Sequence, residues 1–180
     1  MPGRFLDNET KQKMRRQKQQ QKMAVSTISQ WMLGLIIASV ILLNLFTHVL
    51  QVVRYNGQGM EPSLRSGQVL FLKKTQEVEN GDIIAFYYNN QVLVRRVICT
   101  GGQQINIDQE GKVYINSEPL EEPYLTKQSL GQCNLSFPYM VRKDYVFVMG
   151  DNRVMAMDSR LEEIGSISRE RIIGNIIFAI

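Results

Sequence analysis

Histidine is nearly absent from this 180-residue chain: there is one, His48. A histidine-based zinc site or a Ser-His-Asp triad cannot be assembled from it, and the sequence offers no metal site and calls for no cofactor. Cysteine is scarce too. Cys99 and Cys133 are the only two, which excludes a disulfide-scaffold fold and leaves open whether they pair, because disulfide geometry is strict and spacing does not supply it. A basic surface on the folded body is also missing. Residues 1–30 carry seven of the 21 basic side chains (Arg4, Lys11, Lys13, Arg15, Arg16, Lys18, Lys22) and two of the 17 acidic ones, leaving 14 basic against 15 acidic for the remainder. The body is nearly neutral, so a nucleic-acid partner is not expected.

What is present falls into three parts. Residues 8–22, NETKQKMRRQKQQQK, hold a single large apolar side chain, Met14. Such a stretch cannot offset its ordering entropy by burial and reads as a solvated helix or a disordered tail, residues 1–30. Residues 31–53, WMLGLIIASVILLNLFTHVLQVV, contain no Asp, Glu, Lys or Arg. About 23 residues against the roughly 20 that cross a bilayer core fits a transmembrane anchor. No A-x-A-like site follows, so a cleaved signal peptide fits less well. Basic residues crowd its N-terminal side, which places the N-terminus in the cytoplasm and residues 54–180 outside the cell membrane. Trp31 suits the inner interface, and His48 reads as an interfacial helix residue, since the span offers it no carboxylate partner.

After residue 54 the period becomes strand-like. Residues 68–74, 82–88, 91–98, 103–108, 112–116, 145–150 and 171–180 are seven strand candidates. Asn89-Asn90 suits a two-residue hairpin turn because Asn tolerates positive φ, and Gly111 suits a second turn. Residues 117–140 hold three of the five prolines and read as a loop excursion. The expected fold class is all-β, an antiparallel barrel or sandwich preceded by one transmembrane helix.

Three motifs carry a resemblance. They are Gly59-Met60-Glu61-Pro62-Ser63-Leu64 followed by Gly67; Gly81-Asp82-Ile83-Ile84 leading into Val94-Arg95-Arg96-Val97; and Gly150-Asp151-Asn152-Arg153 followed by Asp158-Ser159-Arg160 and Gly165. In this order and spacing, from about residue 30 to the C-terminus, the chain resembles the bacterial type I signal peptidases, in a Gram-positive-like form with one anchor. The resemblance implies a membrane-tethered serine protease fold whose all-β domain lies on the outer face and whose serine is activated by a neutral lysine.

The residues depart from that chemistry at its centre. The resemblance places the nucleophile at position 59, the general base at 95 and a supporting serine at 156. Here these are Gly59, Arg95 and Ala156. Glycine carries no nucleophile, and arginine keeps its proton at any accessible pH. The nearest other hydroxyls and amines in sequence, Ser63, Ser66, Lys73 and Lys74, fall outside the motif register. The resemblance implies that an extended peptide lies between residues 54–58 and 93–95, with Gln58, Met60, Leu93 and Val94 as substrate-binding positions, and an exposed strand edge can bind a peptide without either catalytic group. In its missing dyad the chain resembles some Gram-positive family members that are encoded beside pilin and sortase genes and serve pilus assembly. A non-catalytic homologue that binds secreted preproteins or pilin-like clients, alone or with an active signal peptidase or the sortase machinery, is therefore the expected function. An active signal peptidase using substitute residues is the alternative. Asp151, Asp158, Arg153 and Arg160 are expected to pair with one another as half-exposed structural ties.

Overall fold

The computed structural model describes the backbone of residues 3–180, and the side chains of all residues except 1–10, 17, 19–28, 45 and 47. The side chains of Arg4, Asp7, Glu9 and Lys22 of the expected basic tail, and of Leu45 and Thr47 of the expected anchor, therefore lie outside the described residues. Two compact units divide between Thr47 and His48.

The first unit holds all but the last two residues of a helix, α1 (Gly3–Val49). The chain follows the solvated-helix alternative through the tail. From Trp31 to Asn44 its side chains are exposed all round, among them Trp31, Leu35, Ile37, Val40, Leu42 and Leu43. Among the described residues no helix is long and apolar enough to cross a membrane. The expected span also ends early. Leu50–Val53 are not helical but belong to β1 (Leu50–Arg54), whose backbone groups pair with β2 (Val69–Lys73), Leu50 opposite Lys73 and Val53 opposite Leu70.

The second unit is mostly β-sheet. Its remaining strands are β3 (Ile83–Tyr88), β4 (Gln91–Thr100), β5 (Gln104–Ile107), β6 (Val113–Ile115), β7 (Glu118–Pro119), β8 (Tyr139–Met140), β9 (Tyr145–Met149), β10 (Ile167–Ser168) and β11 (Ile172–Ala179). Seven strands form one antiparallel sheet in the order β1-β2-β11-β3-β4-β9-β10, and four form a smaller one in the order β7-β6-β5-β8. Neither closes, so the barrel alternative is not realised. The large sheet ends on β1 at one side and on the two-residue β10 at the other, and closure needs a mutual ladder between the end strands.

All seven strand candidates are strands, and the turns follow the expected chemistry. Asn89 and Asn90 adopt φ of 44° and 60°, closing a two-residue hairpin in which Tyr88 faces Gln91. Gly111 turns with φ of 84° where an added Cβ would collide with the backbone of Ser129 and Leu130. The loop excursion contains β7 and β8, two residues each.

Three apolar clusters make the core. One, between the sheets, joins Ile98, Cys99, Phe147 and Met149 of the large sheet to Ile105, Ile107 and Val113 of the small one. A second gathers Val78, Ile84, Phe86, Val97, Val148 and Ile167. The third packs Leu70, Leu72, Ala85, Val94 and Ile173 against Tyr55, Met60 and Leu64, and so fixes the segment that carries Gly59 beside β4. Both cysteines are free, Cys99 buried and Cys133 half-buried.

Candidate functional site

β4 has two different sides along its length. β3 pairs with it from Gln91 to Arg96, whereas β9 pairs with it only from Arg96 to Thr100. On the β9 side, residues 91–95 are an unpaired edge among the described residues. Facing that edge is the segment 55–59, and between them lies a cleft of about 390 Å³ whose walls include Tyr55, Gly57, Gln58, Gly59, Val92, Leu93, Val94, Arg95, Met155 and Met157. Among the described residues lining it there is no Ser, Thr, Cys, His or Lys.

Gly59 and Arg95 meet in this cleft. A Cβ added to Gly59 would sit 3.2 Å from both Cζ and Nη1 of Arg95 and 3.3 Å from Nη2. The guanidinium thus occupies the volume beside position 59 that a side chain there would enter. Two backbone carbonyls hold it: Nε donates to Met157 O at 2.9 Å and Nη1 to Val94 O at 2.6 Å. Arg95 is 7% exposed, and burial pulls its pKa below the ordinary guanidinium value, opposed by attraction to Asp158 and Tyr55. Tyr55 accepts the Met60 N–H at 3.1 Å, and burial pushes its phenol up, which keeps it protonated. The third expected position joins the first two through Gly150. A Cβ on Gly150 would strike both Ala156 Cβ and the Gly59 carbonyl, so only glycine lets these backbones approach.

Gln58, Leu93 and Val94 line the cleft, as expected from the motif. Met60 does not. It is fully buried in the core cluster of Tyr55 and Leu64, and its place in the wall is taken by Met155 and Met157, which sequence reasoning did not single out. Gly59 and Met60 lie in a turn rather than a strand, and Met60 turns inward because Tyr55 and Leu64 offer it an apolar cluster to fill. Nothing in the sequence marks Met157 as the carbonyl that holds Arg95, except its place between the Asn152-Arg153 and Asp158-Ser159-Arg160 elements.

The substitute groups stand elsewhere. Ser63 Oγ accepts from Arg96 Nη2 at 3.4 Å, and Ser66 Oγ accepts from the Gly57 N–H at 3.2 Å. Lys73 lies at the end of β2 opposite Asn175, and neither it nor Lys74 lines the cleft. A second hollow of about 650 Å³ brings Ser66, Thr126 and Lys127 to one surface, but all three are exposed and no hydrogen bond among the described residues joins the lysine to either hydroxyl.

Of the expected charged ties Asp158 with Arg160 is formed, whereas Asp151 and Arg153 take partners outside the four, and all four residues differ from expectation in burial. Asp151 pairs not with Arg153 but with Arg96, bidentately, at 2.9 and 2.6 Å. Arg96 also stacks 4.0 Å over the Tyr124 ring. Arg153 pairs with Glu122, whose carboxylate takes the Tyr124 hydroxyl as well. Asp158 takes Arg160 Nε at 2.8 Å and Nη2 at 2.7 Å, together with the N–H groups of Gly150 and Arg160. Asp151, Asp158, Arg153 and Arg160 are buried rather than half-exposed, so each pair is a fixed part of the frame.

Residues 28–180 match the family model described as signal peptidase, peptidase S26. The signal peptidase I T of Bacillus subtilis (strain 168) is 31% identical over 170 residues, covering 87% of this chain and 87% of that protein. A signal peptidase I of Bacillus amyloliquefaciens is 31% identical over 166 residues, covering 85% of each. The crystal structure of a signal peptidase I from Enterococcus faecalis aligns with 26% identity and a TM-score of 0.47, covering 55% of this chain and 96% of that one. The family model over residues 28–180 and the two Bacillus relatives settle the kinship that the motifs from Gly59 to Gly165 suggested: the chain belongs to the peptidase S26 signal peptidase family.

Proposed function

We propose that this chain is a membrane-anchored, non-catalytic member of its family that binds extended segments of secreted or pilus proteins and assists their assembly. The observation that carries the reading is the make-up of the cleft. Among the described residues its lining offers no hydroxyl other than tyrosine, no thiol and no lysine, and the β4 edge beside it is unpaired over residues 91–95. Acyl transfer by a Ser/Lys pair needs an attacking oxygen and an uncharged amine within reach of each other. Strand addition needs only free backbone donors and acceptors with room for one more strand.

Membrane attachment is supported by the exposed apolar side chains on every face of α1 from Trp31 onward. A helix apolar all round is suited to a surrounding apolar phase. The helical part of the expected anchor, residues 31–49, runs about 28 Å at 1.5 Å per residue, against a bilayer core of about 30 Å. The basic residues before it favour a cytoplasmic N-terminus.

Site-specific photocrosslinking from Leu93 and from Gln58 in intact membranes tests the function. Adducts with precursor or pilin-like chains are expected. Adducts with an active signal peptidase alone would point instead to a partner role in that enzyme's complex, and adducts at neither position would remove the groove from the account.

A further inference from the structure

The charges of the cleft and of the ion-paired frame beside it do not balance. Among the described residues these are four arginines, Arg95, Arg153 and Arg160 buried and Arg96 half-buried, and three carboxylates, Asp151 and Asp158 buried and Glu122 half-buried. Each carboxylate is taken by one arginine, and the arginine left over among the described residues is Arg95. Asp158, the carboxylate whose attraction it feels most, has both oxygens committed to Arg160 and to backbone N–H groups. A buried cation is ordinarily paired, because taking a charge out of water without a partner is costly.

The guanidinium also has donors to spare. Of its five N–H groups, one on Nε and one on Nη1 are spent on carbonyls. The second Nη1 proton and both Nη2 protons remain. These two nitrogens form the end of the fork that takes both oxygens of a carboxylate at once. Nη2 has no partner among the described residues, yet it is not a sealed orphan, the distinction that belongs to Arg153 Nη1. It therefore still reaches solvent at the cleft. Gly59 keeps the approach clear, since the nearest atoms a side chain there would supply are absent.

The position along the edge specifies where the anion would sit. β9 takes over the β4 edge at Arg96, so a strand laid along residues 91–95 runs out of partner at Arg95. We propose that Arg95 makes the cleft a receptor for a carboxylate at or beside the end of an extended peptide, supplied by the chain terminus or by an acidic side chain. The proposal rests on the reading of the cleft as a strand-binding groove and names the chemistry of what the groove accepts. The apolar wall of Met155, Met157 and Val92 accommodates the rest of the strand.

Fluorescence anisotropy with the full chain in detergent tests this. Three N-terminally labelled octapeptides of alternating alanine and valine serve as probes: one with a free C-terminal carboxylate, one with a C-terminal amide, and one amidated with glutamate as its last residue. A charge-assisted fork predicts that a carboxylate-bearing peptide binds about tenfold to a hundredfold tighter than the neutral amide. Gain by the free acid alone identifies the chain end as the source, gain by the glutamate peptide alone identifies the side chain, and gain by both identifies the carboxylate wherever it stands. Arg95→Gln brings all three peptides to one affinity, and Arg95→Lys keeps part of the gap. Equal affinity of the three for the wild-type chain, which requires no variant to fold, overturns the carboxylate proposal and leaves the groove intact. Binding of none overturns the groove and the proposal together.

Discussion

The contact between Gly59 and Arg95 can be weighed by adding a single methyl group. In Gly59→Ala the new Cβ would lie 3.2 Å from the guanidinium, inside ordinary van der Waals distance, so Arg95 must retreat by a few tenths of an ångström. It is pinned at Nε by Met157 O and at Nη1 by Val94 O, and retreat loosens one of these. A hydrogen bond from a charged donor contributes about 1.5–3 kcal/mol. The backbone at Gly59 is not in the left-handed region, so alanine also restricts the unfolded chain and returns about 0.4–1 kcal/mol. The net expectation is destabilisation by about 1–2 kcal/mol, a fall of about 3–8 °C in Tm for a domain of this size. Paired with Arg95→Ala the sign reverses: the three atoms nearest the methyl group are then gone, and it stabilises by about 0.4–1 kcal/mol. All seven tyrosines lie in the β unit and the single tryptophan lies in α1. Near-ultraviolet tyrosine dichroism during thermal unfolding in mild detergent therefore reports on the right unit, and the four chains make a double-mutant cycle. An equal cost for Gly59→Ala in both backgrounds would refute the contact, and with it the idea that glycine and arginine are matched substitutions.

Two further outcomes follow from the frame around the cleft. Asp158→Asn leaves Arg160 without its anion and adds to the cation excess at Arg95, so unfolding in urea should show a loss of about 3–5 kcal/mol, whereas Glu79→Gln on the exposed turn should change it by less than about 0.5 kcal/mol. Burial pushes the Cys99 thiol up to about 12, so the folded chain keeps it protonated while an unfolded chain begins to ionise it near 9. Stability from this group is therefore complete below pH 9 and is lost as pH rises toward 12, and alkylation of the native chain at pH 8 should modify Cys133 well before Cys99, with equal rates only after unfolding.

The strands were legible because alternating β-formers bounded by turn residues leave few other solutions; the asparagine pair at 89–90 and Gly111 behave as their φ tolerance dictates. β1 was not legible. Leu50–Val53 continue an apolar run, and four apolar-rich residues look the same whether they face lipid or pair with β2. β7, β8 and β10, at two residues each, are too short to display a period at all. At the site, the motif register brought positions 59, 95 and 156 together on paper. The choice of ion-pair partners did not follow, because Arg153 and Arg160 lie nearer to Asp151 in sequence and only the fold decides that Arg96, 55 residues away, meets it. The inward turn of Met60 and the grip of the Met157 carbonyl on Arg95 are likewise products of packing.

The central claim is that this cleft binds and does not cut. Incubation of the purified full chain in detergent with a secretory preprotein measures it directly. Loss of nucleophile and base together costs on the order of 10⁶ in rate, so no cleavage above the uncatalysed background is expected. The variant carrying Gly59→Ser, Arg95→Lys and Ala156→Ser, which restores hydroxyl, amine and supporting hydroxyl to one cleft, is the informative companion. Cleavage by the unaltered chain that disappears on Ser63→Ala or Ser66→Ala would contradict the account.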